Sequence, residues 1–340
     1  VSKAERRLAV CSPYLSYSGR LEIVNSVLTP TSMYTMGTIM LPLGTIHGVD
    51  RIRKQCLWRG NSTSTRGGNL AAWDLVQSPK NRGGLGIIDL KKHNEATLSK
   101  FVDKFLNKRE TPWVKLVWNK YYSVKPPTEN RLVGSFWWKD LLRLMQPLKN
   151  NMLCRVGTGD SVLFWNDCWA PRTMATEFEL LHSHAKDKFA SFSQIKNLQH
   201  IEMAFHLPLP LEATLDLPNL ADLISQAGGQ GSDAWALRHN QAHLTSRLLY
   251  KLNFANTFAP ITHTWIWKSR CTPRMKFFAW LLLVDRLNTR DMLARRHLQV
   301  QGGPNCILCL QGVIEDINHL FFQCEQVQRR WQLLDVQWTN

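Results

Sequence analysis

The chain has 340 residues, of which 44% are hydrophobic, and a formal net charge of +16. This length is sufficient for two or three domains with cores of their own. The sequence shows no signal peptide and no apolar run long enough to cross a membrane, so we expect a protein without membrane partners. Because it begins at Val1 rather than at a methionine, we expect a segment of a longer protein.

The positive charge is concentrated in two parts of the chain. Residues 1–150 carry 24 Lys and Arg against 10 Asp and Glu, whereas residues 151–340 carry 18 against 16. Within that second half, residues 268–296 carry 8 against 2. Basic surfaces of this kind favour a polyanionic partner, since neutralising phosphates releases counterions. The alternative is a solvated basic surface that has no specific partner.

Helical periodicity dominates the first half of the chain. It predicts helices over 5–29 with a break at Ser18-Gly19, then over 32–40, 45–58, 89–107, 113–122 and 135–145. Trp113, Trp118 and Tyr121 share one face of their helix, and such a stripe is more typical of a core than of a base-stacking platform. Lys125-Pro126-Pro127 marks a linker.

Gly83, Gly84 and Gly86 lie close together between two predicted helices. Clustered glycines invite comparison with phosphate-binding loops, but neither G-x-G-x-x-G nor G-K-[ST] is present. The pattern therefore favours a tight turn in which the backbone is crowded.

The second half of the chain is less regular. Short apolar runs beside glycines predict β-hairpins over 156–165 and 234–245. Between them, an acidic stretch with three prolines is expected to be rich in loops. Further helices are predicted from Ser246, after Pro273, after the N-cap Thr289, and over 315–322. The patterns together predict a mainly α fold with small β-hairpins, an α+β arrangement.

Four potential metal ligands lie near the C-terminus, at Cys306, Cys309, His319 and Cys324. Their spacing, C-x2-C-x9-H-x4-C, provides three thiolates and one imidazole, which can fill the four positions of tetrahedral zinc. Four protein ligands leave no position open for water, so we predict one structural Zn²⁺ rather than a catalytic one.

Redox and disulfide chemistry are the alternatives for this cysteine pair. A redox C-x-x-C is expected in a thioredoxin-like βαβ setting, which the sequence lacks, and a disulfide framework suits a short secreted chain. The remaining cysteines are scattered, and we expect them to be reduced core residues. They are Cys11, Cys56, Cys154, Cys168 and Cys271.

Several short motifs occur in an order that resembles a known family. They are Leu15-Ser16-x2-Gly19-Arg20-Leu21, Leu57-Trp58-x-Gly60, Pro79-Lys80-x2-Gly83-Gly84-Leu85-Gly86-Ile87, Trp113-Val114, Gly134-Ser135-Phe136-Trp137, Gly159-Asp160-x3-Phe164-Trp165-x-Asp167-x-Trp169, Trp267-Lys268, Pro273-Arg274-Met275-Lys276-Phe277-Phe278-Ala279-Trp280, Asp285-Arg286-Leu287-Asn288-Thr289-Arg290, Glu315-Asp316 with the four zinc-ligand candidates, and Trp331. Together they resemble the C-terminal region of plant LINE-type (non-LTR retrotransposon) reverse transcriptases, including its zinc-binding domain.

This resemblance implies the tail of an RNA-directed DNA polymerase. In the family, the palm precedes this region and carries a Tyr-x-Asp-Asp loop whose carboxylates hold two Mg²⁺ ions. This sequence has no Asp-Asp dipeptide, and its only adjacent carboxylate pair is Glu315-Asp316. It also shows no sign of a ribonuclease H domain. We therefore expect no polymerase site, assign no catalytic residue and predict a non-enzymatic segment.

The resemblance also implies a division of the chain. Residues 1–123 would be a basic, helical, thumb-like region, residues 124–245 an irregular connector, and residues 246–340 a small zinc-stabilised helical domain. The expected partner is RNA or an RNA–DNA hybrid, with association to the polymerase or endonuclease domains of the parent element. An intracellular location, nuclear or cytoplasmic, is expected. The candidate nucleic-acid-binding residues are Arg20, Arg51, Arg53, Lys54, Lys80, Arg82, Arg274, Lys276, Arg290, Arg295 and Arg296.

Two other functions are weighed against this one. The first is a domesticated zinc-binding module that binds a protein partner and has no nucleic-acid role. The second is a hydrolytic enzyme, which the sequence disfavours because no nucleophile–base pair or open metal site is apparent. His206, His239 and His243 are isolated and are expected to be surface or structural residues.

Overall fold

The computed structural model describes residues 2–8, 14–60, 68–122, 126–128, 133–238, 244–258, 260–309 and 311–336. The expectations for Cys11, Lys125, His239 and His243 concern residues outside these ranges. Within the described part of the chain, no helix is both long enough and apolar enough to cross a lipid bilayer.

The fold is mostly helical with one small sheet, which confirms the predicted fold class. In chain order the helices are α1 (Ser2–Leu8), α2 (Tyr17–Ile23), α3 (Pro30–Met36), α4 (Leu43–Arg59), α5 (Trp73–Gln77), α6 (Leu90–Leu106), α7 (Pro112–Tyr121), α8 (Phe136–Lys149), α9 (Met174–Glu177), α10 (Glu179–His184), α11 (Phe192–Lys196), α12 (Leu211–Gln226), α13 (Ser246–Leu252), α14 (Ile261–Lys268), α15 (Pro273–Leu283), α16 (Arg290–Arg295) and α17 (Glu325–Gln332). Short π-helical turns cover Val24–Leu28 and His319–Gln323, and single 3₁₀ turns cover Lys80–Arg82 and Ile201–Ala204.

The predicted hairpin over 156–165 is wrong, and the strand predicted at Ala234–Leu237 is present but pairs with a distant segment; residues 239–243 of the second predicted hairpin lie outside the described residues. The sheet pairs β1 (Met152–Arg155) with β2 (Ala234–Leu237) in antiparallel register, so that Met152 faces Leu237. Alternating burial along each strand produces the β pattern in the sequence, but this local pattern does not identify the partner strand. The pairing is long-range, and the loop after β1 is held by Asp233 instead of by a second strand of its own.

The acidic stretch between the strands is also more ordered than predicted. It contains four helices, and the longest is α12. Ala213, Leu217, Leu220 and Ile224 recur at helical spacing and are buried. The prolines were misleading, since Pro210 occupies the N-cap position of α12 and only Pro218 lies inside it.

The contacts divide the chain into two compact units that are each discontinuous in sequence. Unit 1 comprises Val1–Thr31, Gly44–Asp89 and Asn256–Asn340, and unit 2 comprises Ser32–Leu43 and Leu90–Ala255. Residues 90–123 therefore pack with the predicted connector, and residues 1–31 pack with the C-terminal segment. The functional division at 123 and 245 stays a prediction.

The core of unit 1 joins α15 to the glycine turn. Trp280 of α15 is fully buried, and its indole N–H donates to the carbonyl oxygen of Gly83 at 2.8 Å. A Cβ added at Gly84 would overlap the carbonyl oxygen of Ser78 and lie 2.5 Å from that of Leu75. The predicted crowded turn is thus confirmed, and the glycines bring the chain close to itself.

The core of unit 2 is built on aromatic side chains and the buried carboxylate of Asp167. Phe164 and Trp165 are fully buried, and the Trp118 ring stacks on Phe105 with centroids 4.6 Å apart, which confirms the predicted packing role of the α7 aromatic face. Both carboxylate oxygens of Asp167 accept hydrogen bonds of 2.8 Å from the Lys149 ammonium group. The Phe164-Trp165-x-Asp167 motif therefore has a structural role.

The expectation for the scattered cysteines holds only in part. Cys154 and Cys168 are free and buried, as expected. Cys271 is free but exposed, and Cys56 is disulfide-bonded. These two positions correct the expectation of reduced core cysteines.

Candidate metal centre

The four predicted ligands come together in unit 1. The three sulfur atoms and one imidazole nitrogen all lie within 4.8 Å of one another. Sγ of Cys309 is 3.4 Å from Nε2 of His319, close to the edge of about 3.6 Å that tetrahedral zinc with ordinary Zn–S and Zn–N bonds requires. Cys306, His319 and Cys324 are buried, and Cys309 is half-buried. The residues present therefore fit one tetrahedral Zn²⁺.

A tight loop places the first two ligands. The backbone N–H of Cys306 donates to the carbonyl oxygen of Val313 at 2.8 Å, next to an antiparallel bridge between Asn305 and Ile314. The backbone N–H of Leu308 then donates to Sγ of Cys306 at 3.4 Å. The loop thus turns back on itself, and the Leu308 N–H orients the sulfur of Cys306, as hydrogen bonds to metal ligands commonly do.

A short helical segment places the other two ligands. Oδ1 of Asp316 accepts a 2.7 Å hydrogen bond from the backbone N–H of His319, which is the arrangement of a side-chain N-cap. The π-helical turn that follows ends where the N–H of Cys324 donates to the carbonyl oxygen of His319 at 2.7 Å. This turn returns the chain so that Cys324 lies on the same side as His319.

Glu315 and Arg290 connect this segment to α16. The carboxylate of Glu315 accepts a hydrogen bond of 3.2 Å from the backbone N–H of Arg290. The Arg290 guanidinium in turn donates to the carbonyl oxygens of Gly303, at 2.8 Å, and Gln301. The predicted N-cap Thr289 is confirmed, since its hydroxyl accepts from the N–H of Met292 at 3.2 Å. Helix α16 is therefore fixed to both sides of the ligand loop.

The supporting residues were not predicted from the sequence, although one of them had a signal. Asp316 lies three residues before His319, which is the spacing of an N-cap side chain and the backbone N–H that it accepts. Nothing in the sequence distinguishes Glu315 or Arg290 from surface charges, because their partners are backbone atoms of other segments.

Crowding of the thiols makes the cluster suited to a cation. Burial acts to raise the pKa of Cys306, but the backbone N–H groups of Cys309 and Leu308 outweigh it and the pKa is lowered. For Cys309, a hydrogen bond from the backbone N–H of Gln311 acts to lower the pKa of the thiol. Burial and the negative charge of Cys306 and Cys324 outweigh it, and the pKa of Cys309 is raised. A divalent cation would relieve this repulsion and allow all three thiolates to form.

All eleven basic candidates also lie in unit 1. Arg51, Lys80 and Arg274 are exposed, which is what a phosphate contact requires. Arg53 is fully buried, with its guanidinium on the Asp50 carboxylate at 2.6 Å and on the Ile88 carbonyl oxygen at 2.6 Å. Arg53 therefore forms an ion pair in the core and is not exposed for a phosphate contact.

The remaining candidates make local contacts of their own. Arg82 donates to the carbonyl oxygen of Thr257 at 2.7 Å, Lys276 to that of Trp267 at 3.1 Å, and Arg296 to that of Leu70 at 3.2 Å. Arg295 is paired with Asp285 and Asp291. These side chains are anchored, whereas half-buried Lys54 and Arg20 lie beside the rings of Trp73 and Tyr17.

Residues 244–331 match the family model described as zinc-binding in reverse transcriptase. The matched region contains all four ligands of the candidate metal centre together with Asp316, Glu315 and Arg290. The chain is also similar to a putative ribonuclease H protein of Arabidopsis thaliana, with 26% identity over 329 residues. That alignment covers 91% of this chain and 51% of the relative, so the chain spans about half the length of the curated relative that it matches.

Proposed function

We propose that this chain is a non-catalytic nucleic-acid-binding segment related to the C-terminal region of plant LINE-type reverse transcriptases. In this proposal unit 1 binds RNA or an RNA–DNA hybrid through its basic surface, and Zn²⁺ holds the C-terminal ligand loop in place. The polymerase or endonuclease domains of the parent element would associate with it in the nucleus or the cytoplasm.

One observation carries the proposal. The zinc cluster lies inside the match to a reverse-transcriptase zinc-binding region, and all eleven basic candidates belong to the same compact unit. Unit 1 contains 21 Lys and Arg against 11 Asp and Glu, whereas unit 2 contains 21 against 15. The larger net charge therefore accompanies the zinc cluster, as expected for a surface that contacts phosphates.

Ribonuclease H activity is attributed by the name of the Arabidopsis relative to a protein of which about half lies outside the match. Among the described residues, the Cys/His cluster is the group of three or more potential metal ligands that lie close together. With four protein ligands it has no open position for a water nucleophile, so a structural role fits it better than hydrolysis.

Binding of RNA and of an RNA–DNA hybrid at increasing salt tests the proposal. We expect affinity to fall as salt rises, with each neutralised phosphate contributing about 0.7–0.9 to the slope of log K against log salt. Fluorescence anisotropy with end-labelled probes measures this slope. Absence of binding to both probes at about 50 mM salt, a permissive condition, would sink the proposal.

A domesticated protein-interaction module is the second candidate. Apolar side chains on the ligand loop favour it, since Ile307 is 61% exposed and Ile314 is 51% exposed. In this case Ile307→Ser with Ile314→Ser should abolish capture of a partner from nuclease-treated extract while zinc content is unchanged. Salt-dependent RNA binding by the same double variant at wild-type affinity would favour the first candidate instead.

A further inference from the structure

A cavity of about 430 Å³ opens between the start of α2 and one face of α15, within unit 1. Its volume falls in the range of small-ligand pockets, about 300–1,000 Å³. Aromatic and aliphatic side chains form most of its wall, and two arginines, Arg20 and Arg274, complete it. No acidic residue is among the described residues that line it.

The aromatic wall is fixed in place by packing. The Tyr17 ring stacks on Phe277 with centroids 5.4 Å apart and an interplanar angle of 13°. Phe277 is buried, whereas Tyr17 is 38% exposed and Phe278 is 47% exposed. The Phe278 ring also packs against Phe321, with centroids 6.1 Å apart, and Phe321 follows the ligand His319 by two residues. The exposed ring of Phe278 is thus connected to the metal-binding segment.

The electrostatics of α15 favour an anion at this cavity. Arg274 and Lys276 lie in the first turn of the helix, and that turn contains no acidic residue. Cations are unfavourable near a helix N-terminus because the backbone N–H groups there carry partial positive charge. Lys276 donates to the carbonyl oxygen of Trp267, but among the described residues none accepts a hydrogen bond from the Arg274 guanidinium. A phosphate beside Arg274 would offset this local repulsion.

We propose that the cavity binds an unpaired nucleotide of a single-stranded RNA or DNA segment. The base would stack on the exposed ring of Phe278, and the phosphates on either side of the base would contact Arg274 and Arg20. Aromatic platforms combined with positive grooves bind single strands in this way, and guanidinium groups match the geometry of phosphate oxygens. The inference rests on the proposed nucleic-acid function and assigns to it a site and a strand state.

A single-stranded ligand fits the cavity better than a duplex. In a duplex the bases are stacked on each other, so their faces are not available to a protein ring. A phosphate-only contact would need the arginines but not the exposed Phe278. A neutral peptide would need the apolar wall but would offer no anion to the exposed guanidinium of Arg274. The combination of ring and guanidinium therefore indicates an unpaired nucleotide.

Anisotropy with two probes and matched variants tests this proposal on the full chain. The probes are an end-labelled oligouridylate of about ten nucleotides and an RNA–DNA hybrid of the same length. We expect Arg274→Ala and Phe278→Leu each to weaken binding of the oligouridylate by about fivefold or more. Phe278→Leu should change binding of the hybrid by no more than about twofold, and Phe278→Trp should restore the oligouridylate affinity.

Two exposed residues outside the cavity provide the controls. Arg270→Ala removes the same charge four residues before Arg274, and Phe258→Leu removes an exposed ring elsewhere in unit 1. Equal losses in Arg274→Ala and Arg270→Ala would show general charge attraction and overturn the proposal. Unchanged oligouridylate binding by Phe278→Leu would overturn it as well, while the nucleic-acid function itself would stand.

A crosslinking experiment locates the nucleotide directly. Oligouridylate that contains 5-iodouridine should crosslink on irradiation to peptides that contain Tyr17 or Phe278, since the halogenated base reacts with a ring stacked on it. Crosslinks confined to other peptides would overturn the proposal independently of any folding defect in the variants. A wild-type chain that binds neither probe would refute both this inference and the proposed function.

Discussion

Several residues that are not metal ligands hold the backbone around the candidate metal centre in place. Asp316 holds the backbone N–H of His319, and Glu315 holds the N–H of Arg290. Arg290 in turn donates to carbonyl oxygens at the entry to the ligand loop. The pair Glu315-Asp316, the only adjacent carboxylates in the chain, therefore positions backbone instead of holding catalytic metal ions.

Replacement of one thiolate should remove the metal. For Cys309→Ser we expect zinc content to fall from about one per chain to well below that value, because a hydroxyl is a poor ligand for a structural zinc site. Metal analysis of the purified protein measures it. Cys271→Ser is the matched control, since Cys271 is free, exposed and outside the cluster. Full stoichiometry in Cys309→Ser would contradict the ligand assignment.

At the scale of elements, the buried carboxylate of Asp233 holds the loop that follows β1, where the sequence predicted a hairpin. Asp233 accepts hydrogen bonds from the backbone N–H groups of Gly157 at 2.9 Å, Gly159 at 2.8 Å and Ser161 at 3.0 Å. The Ser161 hydroxyl donates to it as well. The residue immediately before β2 thereby fixes the loop that follows β1, at the end of the sheet where Arg155 pairs with Ala234.

The pKa of Asp233 makes this loop sensitive to acid. Burial acts to raise the pKa, but hydrogen bonds from the Ser161 hydroxyl and the three N–H groups outweigh it, and the pKa is lowered. A carboxyl with a depressed pKa in the folded state contributes stability above its unfolded value of about 3.9. That contribution is lost as the pH falls through the folded value.

We expect Asp233→Asn to lower the free energy of unfolding at pH 7 by about 1.5–3 kcal/mol. The difference from wild type should shrink as the pH falls below about 4, where the Asp233 carboxyl of the unfolded chain begins to take up a proton, and should vanish below the lowered pKa of the folded state. Denaturant titrations at several pH values measure it, and Asp160→Asn, at an exposed position in the same loop, should behave like wild type. A difference that stays constant from pH 7 to about pH 3 would count against this role of the carboxylate.

The glycine turn offers a second test at the scale of elements. Gly84→Ala should destabilise the protein by about 1–3 kcal/mol, because the new methyl group meets the carbonyl oxygens of Ser78 and Leu75. Gly44→Ala is the control, since apart from neighbouring residues and the nearby backbone of α4 no atom lies within 4 Å of the added Cβ. We expect that change to be neutral or stabilising by up to about 1 kcal/mol. Thermal unfolding compares the two variants, and equal effects would contradict the crowding argument.

At the scale of the whole molecule, the metal and the larger net charge belong to the same discontinuous unit. The ligands and the basic candidates all lie in unit 1, whereas the sheet and Asp233 lie in unit 2. The stability of the two units should therefore depend differently on zinc.

Removal of zinc by a chelator should loosen the ligand segment and leave the sheet intact. We expect amide hydrogen exchange to accelerate in peptides from 305–324, because four side chains lose their common partner. Peptides that contain β1 and β2 should keep their protection, since their contacts include no ligand. Exchange measured by mass spectrometry distinguishes the two, and equal acceleration in both segments would show that zinc stabilises the molecule as one cooperative whole.

Much of the secondary structure could be predicted because its signals are local. Helices α4, α6, α7 and α8 lie close to the predicted ranges, since apolar residues at helical spacing describe a single face. The errors lie where a local signal has several outcomes. A strand pattern at Ala234 does not identify Met152–Arg155 as its partner, and the prolines around α12 resemble breakers although one of them is an N-cap.

The four clustered ligands and the helical class could be predicted from the sequence alone, because ligand spacing and helical periodicity are properties of neighbouring residues. Tertiary structure alone decided which charges remain available to a partner, since Arg53 is buried on Asp50 and Arg290 is engaged by the ligand loop. It also decided that Arg20 and Arg274 line one cavity, although more than 250 residues separate them in the sequence. Burial and long-range juxtaposition depend on the packing of distant segments, and no local pattern encodes that packing.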